Sequence, residues 1–276
     1  MAVLLALAAA AVYGAADFFG GIASRRTPAA TVVAVSQLAG IVVLVLAWFV
    51  LPGKFYASDI AWGVAAGFAG SIAIAALYAA LAVGRMGVIS PITAVIGASV
   101  PVVAGLAFGE RPSGLAVVGL VCAFAAVALV SANAETRRIS LAEPGVVLAL
   151  VSGIGIGALY VLLGHGHADA GLARLAVTRA TSVVLLVGYA LVRRESLRPA
   201  PGSVRAILAA GAFDMAANVL YIASTHYGLL AVVAVLTSLY PASTVFLARV
   251  MLDERLTRSQ WAGVAIAACG VVLIAA

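Results

Sequence analysis

Apolar residues run along this chain in long uninterrupted blocks, and polar residues collect in the short gaps between them. The blocks cover 2–23, 28–50, 60–83, 88–108, 114–132, 144–164, 171–192, 204–224, 228–250 and 259–276. Each is roughly 18–24 residues long, enough at helical rise to cross an apolar slab of about 30 Å. The pattern predicts ten membrane-spanning helices. The gaps hold most of the charge: Arg25–Arg26, Lys54, Arg85, Glu110–Arg111, Arg137–Arg138, Arg193–Arg194 and Asp253–Glu254–Arg255. None is long enough for a soluble domain.

Composition strengthens this reading. Of 276 residues 65% are hydrophobic and only 9% charged, with a mean hydropathy of +1.20. A soluble chain carries about 25% charged residues. The expectation is an all-α polytopic protein whose first partner is the lipid bilayer. The formal charge of +6 is explained by loop arginines, so it does not point to nucleic acid. Cys122 and Cys269 lie inside apolar runs and read as small packing residues, neither a disulfide nor a metal site. The stretch "ALAAAAVYG" has the look of a weak cleavage site. The first block nevertheless lacks a basic start, carries Asp17 and runs straight into the next hairpin, so it reads as a retained helix.

Positive charge gives an orientation. Alternate loops on one side hold eleven arginines: 25, 26, 85, 137, 138, 193, 194, 198, 205, 255 and 258. The other side holds Lys54 and Arg111, with Arg174 at a helix edge. Basic loops stay in the cytoplasm, which puts both termini on the non-cytoplasmic side of an inner (plasma) membrane. Trp48, Trp62 and Trp261 fall where an interfacial aromatic belt is expected.

An internal repeat appears when the chain is slid by 144 residues. "GERPSGLAVVGLVCAFAAVALV" (109–130) falls on "DERLTRSQWAGVAIAACGVVLI" (253–274). Glu110 meets Glu254, Arg111 meets Arg255 and Gly119 meets Gly263. Upstream, Gly84 meets Gly228, Thr93 meets Thr237 and Ser99 meets Ser243. The halves are 1–138 and 139–276, five helices each, forming one membrane domain. An odd number of spans forces the second half to enter from the opposite side, so the expectation is two inverted five-helix repeats, an arrangement of alternating-access carriers.

The stretch "TSLYPASTVFLARVMLDERLTRSQWAGVAIAACGVVLI" (237–274) resembles the EamA family of the drug/metabolite transporter superfamily. A proline enters a helix, Glu-Arg follows about a dozen residues later, and a glycine-containing helix closes the pattern. "YGAADFFGGIASRR" (13–26) is similar to the first helix and turn of such proteins. The first half departs from the pattern: Gly97 stands where Pro241 would align, and the prolines shift to Pro91 and Pro101. The resemblance implies a ten-helix secondary carrier for small organic molecules, often an exporter. It also implies cytoplasmic termini, which the arginine count opposes.

Some residues are costly in lipid. Asp214 falls at the middle of the eighth block, "GAFDMAANVLY", where a carboxylate costs about 2.5–3.5 kcal/mol on insertion scales. Asn218, Tyr221 and Thr225 follow on the same helical face, so that face points inward. Arg179, beside Thr178, Thr181 and Ser182, lies near the middle of the seventh block and is the natural counter-charge. Asp17, with Tyr13 one turn before it, sits about 6 Å from its helix midpoint. The three ionisable groups predict a central substrate- or proton-binding site. A buried pair that only fixes helix packing is the plainer alternative. Tyr78, Tyr160, Tyr221, Thr237 and Tyr240 are further cavity candidates. His226 reads as an interfacial residue, and "HGHAD" (165–169) as a solvated loop with a weak metal-like spacing.

Pro91, Pro101 and Pro241 remove backbone hydrogen bonds inside spans. They mark candidate helix breaks or gates in the fourth and ninth blocks, which are repeat equivalents. Gly63, Gly67, Gly153, Gly155 and Gly157 permit close helix contact. The Glu-Arg pairs read as loop anchors at helix ends. No nucleophile–base pair, H-E-x-x-H or nucleotide motif is present, so an enzyme and an ATP-driven pump are both disfavoured. The prediction is a gradient-driven carrier of amino acids, metabolites or drugs, possibly proton-coupled. It needs no cofactor and is a monomer or homodimer. In this reading Asp214 or Asp17 takes up a proton, and Arg179 holds the pair or a substrate carboxylate. A passive facilitator or channel is the alternative.

Overall fold

The structure is a computed structural model that describes residues 1–83, 86–131, 144–194, 196–252 and 258–275. Gly84, Arg85, Arg137, Arg138, Asp253, Glu254 and Arg255 lie outside the described residues, as does the 138/139 boundary between the halves and the side chains of Pro91 and Trp261. Among them the secondary structure is helix, joined by short turns and loops, with no strand. The first half holds α1 (Ala2–Ser24), α2 (Ala29–Trp48), α3 (Ala57–Val83), α4 (Met86–Ala107) and α5 (Gly114–Ser131). The second holds α6 (Pro144–Gly164), α7 (Ala173–Arg193), α8 (Val204–Thr225), α9 (Leu230–Thr237), α10 (Tyr240–Leu252) and α11 (Arg258–Ala275).

Six of these are long and apolar enough to cross a membrane: α1, α2, α3, α6, α7 without its last residue, and α8. The remaining apolar stretches are shorter, Ile92–Ala107, Val117–Ala126 and Leu230–Thr244. The fold also inverts the usual distribution of polarity. Val42, Leu46, Val121 and Val184 are exposed, while Arg179, Ser182, Asn218 and Thr237 are buried. Lipid as solvent produces this arrangement, since each backbone bond is made within its own helix and side-chain polarity is hidden inside.

The single ninth helix expected over 228–250 is two helices. α9 ends at Thr237, and α10 begins at Tyr240, just before Pro241. Pro241 has no N–H for the Thr237 carbonyl. The chain tightens instead: Leu239 N–H donates to Leu236 O at 3.2 Å, and the Ser238 hydroxyl donates back to Ala234 O at 2.8 Å. Its repeat counterpart α4 behaves differently. It runs unbroken from Met86 to Ala107 through both Pro91 and Pro101, so these prolines are not helix breaks. The carbonyl of Gly97, which Pro101 leaves without its N–H, lies against Gly157 of α6, where a Cβ would come within 2.7 Å. Close approach of a glycine Cα–H supplies a weak partner.

Helix contacts repeat under the 144-residue shift. α1 packs on α8 as α6 packs on α3; α2 packs on α8 as α7 packs on α3; α10 packs on α1 as α4 packs on α6; α5 packs on α11. Exchanging the halves leaves this list unchanged. Glycines set the spacing of several of these crossings. Gly67 of α3 lies against Thr178 and Thr181 of α7, and its repeat equivalent, Gly211 of α8, lies against the backbone of Ser36 in α2. α10 is pinned to α1 by two hydroxyls: Ser243 donates to Ala11 O at 2.8 Å and Thr244 to Gly14 O at 3.1 Å.

Candidate functional site

Arg179 and Asp214 meet in the interior, where α7 and α8 both reach α2. The Arg179 Nη2 donates to Asp214 Oδ2 at 2.8 Å, with side chains only 6% and 15% exposed. Asn218, one turn along α8, donates from Nδ2 to the Asp214 main-chain carbonyl at 2.8 Å and stands 3.4 Å from Oδ1. The same Nη2 lies 3.8 Å from Met215 Sδ. Gly40 of α2 makes room for the guanidinium: a Cβ there would lie 3.5 Å from Arg179 Cζ and 3.0 Å from Gly211 O. Arg179 Nε is buried without a partner among the described residues. Neither Gly40 nor Met215 was legible as part of the site, because one has no side chain and the other no charge.

Asp214 also lines a small cavity between α1, α3, α6, α8 and α10. Its polar lining is Tyr13, Asp17, Tyr160, Asp214 and Tyr240, and the rest is aliphatic. The volume is about 20 Å³, room for about one water. Asp17 is buried and, among the described residues, its carboxyl has no hydrogen-bond or ion-pair partner. The hydroxyl of Tyr13, one turn away on α1, is also buried without a partner of ordinary geometry. Tyr13 and Tyr160 rings stand 6.1 Å apart at 51°, and Tyr160 stacks on Tyr221 at 4.5 Å.

The other predicted residues are spread around this centre. Tyr221 donates to Tyr160 O at 3.0 Å, and Tyr240 to Ser90 O at 3.3 Å. Tyr78 of α3 packs its ring against Gly20 of α1. Thr237 sits at the end of α9 with its hydroxyl buried and unpartnered among the described residues. Thr178 donates to Arg174 O one turn back within α7, while Ser182 donates to Gly67 O and ties α7 to α3. Thr225 bonds Ile222 O within its own helix. Glu110 anchors more than a loop. Its carboxylate accepts from Leu230 N at 2.8 Å and Ala231 N at 3.0 Å, capping the first turn of α9.

A second cluster was missed by sequence reasoning. At one end of the bundle the 49–56 and 165–172 segments are strapped together. Asp59, 1% exposed in the first turn of α3, accepts from Arg174 Nε of α7 at 2.9 Å and from the Arg174 Nη2 as well. His167 lies on the same carboxylate, Nδ1 to Oδ2 at 2.7 Å, and stacks on Tyr56 at 4.1 Å. Outside this core Asp169 accepts from Tyr56 at 2.5 Å and from Lys54 at 3.2 Å. The Tyr56 hydrogen bond, then Lys54, hold the Asp169 carboxyl below the usual range, and the bond to Asp169 raises Lys54. The "HGHAD" segment is therefore one half of a strap and not a free solvated loop. Among the described residues no set of three ligands could hold a metal. The only signal in the sequence was that Asp59 and Arg174 both sit in first helical turns; the topology that pairs them was hidden. His226, at the end of α8, lines a cavity of about 440 Å³ beside the strap.

The model of the EamA-like transporter family matches the chain twice, over residues 1–132 and 143–276. A solved crystal structure of a protein 17% identical superposes with a TM-score of 0.77, over 99% of this chain and 95% of the other, a likeness of fold. No curated protein matches the chain.

Proposed function

The chain belongs to the EamA-like transporter family, and from that membership we propose that it is a secondary active carrier of small organic molecules working by alternating access. Ten spans in two inverted five-helix repeats, 1–138 and 139–276, rock about the central cavity. α9 and α10 together make one broken span, and α4, α5 and α11 are three of the ten despite their shorter apolar stretches. Loop arginines put both termini outside the cytoplasm of an inner membrane, and the direction is export, with a proton returning for each substrate. The observation that carries this reading is that Asp214, paired with Arg179, and Asp17, without a partner among the described residues, line one interior cavity. Ionisable groups at bilayer depth mark transport pathways.

Charge exchange supplies the coupling. Asp214 is occupied by Arg179, so Asp17 is the carboxyl left to take up either a proton or a charge on the substrate. Occupying both at once is costly in a water-poor cavity, and the two fluxes are thereby linked. The small cavity fits an occluded state, closed at both ends.

Reconstitution tests the reading. A carrier in proteoliposomes shows saturable uptake of a metabolite mixture, accelerated by substrate on the far side; a channel shows flux linear in concentration. Packing and function are separated by a pair of variants. Asp214→Asn strands a buried guanidinium, and this costs about 3–5 kcal/mol of stability and removes transport. Arg179→Met combined with Asp214→Leu restores stability, since apolar isosteres replace buried pairs at little cost, but leaves transport absent. Wild-type transport in the stable double variant would reduce the pair to a packing device.

A further inference from the structure

We infer that the central cavity takes a positively charged ligand, an amine or quaternary ammonium, held by the Asp17 carboxylate beside the rings of Tyr13, Tyr160 and Tyr240 in place of a proton. The inference rests on the carrier reading and names its substrate class. It departs from the expectation that Arg179 binds a substrate carboxylate.

The charges lining the cavity decide the sign of the ligand. Among the described residues two carboxylates line it, Asp17 and Asp214, and no lysine, arginine or histidine does. Arg179 balances Asp214 from outside the lining, with its guanidinium set against Gly40 and Met215. One negative charge is left without a partner. A buried carboxylate of that kind is expensive, and either a proton or a cation removes the cost. An anionic ligand would add to it, with no free cation in the lining to receive it.

The neutral groups favour a cation in the same place. A cation within about 6 Å of an aromatic centroid is attracted to the ring face. The rings of Tyr13, Tyr160 and Tyr240 line the same cavity as Asp17, with Tyr13 and Tyr160 packed against each other at 51° and 6.1 Å between centroids. The Tyr13 hydroxyl is buried near that of Tyr160, with no hydrogen bond of ordinary geometry among the described residues. It stands one turn from Asp17 and can accept an N–H. Tyr240 of α10 completes the lining, and Tyr78 of α3 lies one turn further along α1 at Gly20. Among the described residues every titratable group facing Asp17 is thus a phenol or the already paired Asp214. With about 20 Å³ in the closed form, the ligand enters only as one end opens. On binding, the Asp17 O–H bond breaks and its proton leaves to the solution on that side, one proton for each cation.

The test uses the wild-type protein in proteoliposomes with an internal pH indicator and three probes of one size: phenyltrimethylammonium, 2-phenylethylamine and phenylacetate. Protein-free vesicles correct for diffusion of the neutral amine. The expected result is saturable exchange of phenyltrimethylammonium and 2-phenylethylamine with alkalinisation of the interior, and none with phenylacetate. Transport of phenylacetate alone, or of none of the three while a metabolite mixture still shows saturable counterflow, overturns the substrate class and leaves the carrier standing. Absence of saturable counterflow for any solute brings down the carrier reading, and the inference with it. Asp17→Asn, checked for folding by its unfolding midpoint, should lose cation exchange, and Asp17→Glu should retain part of it. Tyr160→Leu should weaken phenyltrimethylammonium binding roughly tenfold while Tyr160→Phe, which keeps the ring face, stays near wild type. Undiminished exchange in Asp17→Asn would overturn the assignment of the carboxylate.

Discussion

The two ends of the bundle are built from repeat-equivalent segments and closed by different chemistry. At the ion-paired end, Asp59 of α3 and Arg174 of α7 are buried together, with His167, Lys54, Tyr56 and Asp169 around them. Under the 144-residue shift their counterparts at the other end are Ser203 and Ala30. Among the described residues the contacts there are neutral. Thr27 Oγ1 accepts from Ala200 N at 3.0 Å, Thr31 donates to Ser196 O at 3.3 Å, and Ser203 is buried with its hydroxyl unpartnered among the described residues. Arg25 and Arg26 are exposed beside a cavity of about 290 Å³. Duplication preserved the backbone path while the side chains diverged. Single hydroxyl bonds are worth about 1 kcal/mol each, whereas separating a buried ion pair costs several.

The largest expected effect comes from breaking the ion pair on one side only. Asp59→Asn leaves Arg174 buried without its counter-charge and should cost about 3–5 kcal/mol, read as a lowered unfolding midpoint in detergent. Ser203→Ala, at the matched position, removes an unsatisfied hydroxyl and should be neutral or slightly stabilising. Equal shifts in the two variants would erase the asymmetry. A middle-sized effect separates the two matched glycines. Gly211→Ala drives a methyl into the Ser36 backbone, whereas Gly67→Ala meets mainly the Thr181 side chain beside the Thr178 carbonyl. Both should destabilise, by about 1–3 kcal/mol as overpacking does, with Gly211→Ala the worse because a packed backbone yields less than a side chain. Thermal unfolding of the pair ranks them.

The smallest effect concerns the outer strap. Lys54→Ala removes an exposed ion pair and should leave the unfolding midpoint where it was. The Asp169 carboxyl is held below its usual range by Tyr56 and Lys54. Its contribution is therefore complete above the ordinary carboxylate value of about 3.9, and is lost only as pH falls through the lower folded-state value. Trp48 stacks on Phe55 beside this segment, with centroids 5.8 Å apart. Its fluorescence should stay constant from about pH 8 to pH 5 and change only under stronger acid. A change near neutral pH would overturn the assignment of this transition to Asp169.

Much of the centre was legible because lipid makes polarity conspicuous. Asp214 and Arg179 stood out as charges in apolar blocks, and the structure joins them at 2.8 Å. Asp17 was found by the same signal. Asp59 and Arg174 were not, since charges near block ends look like ordinary loop residues. The prolines were visible but their consequences were not. Pro241 coincides with a break, while Pro101 is absorbed by a neighbouring glycine.

Hydropathy and its periodicity are properties of the chain itself, so the sequence alone determined the membrane class, the rhythm of helices and the duplicated halves. Which carboxylate keeps its counter-ion and which faces the cavity alone depends on how α1, α7 and α8 cross. That was decided only in three dimensions, because electrostatic partnership is set by a few ångströms between segments far apart in the chain, a distance no single helix encodes.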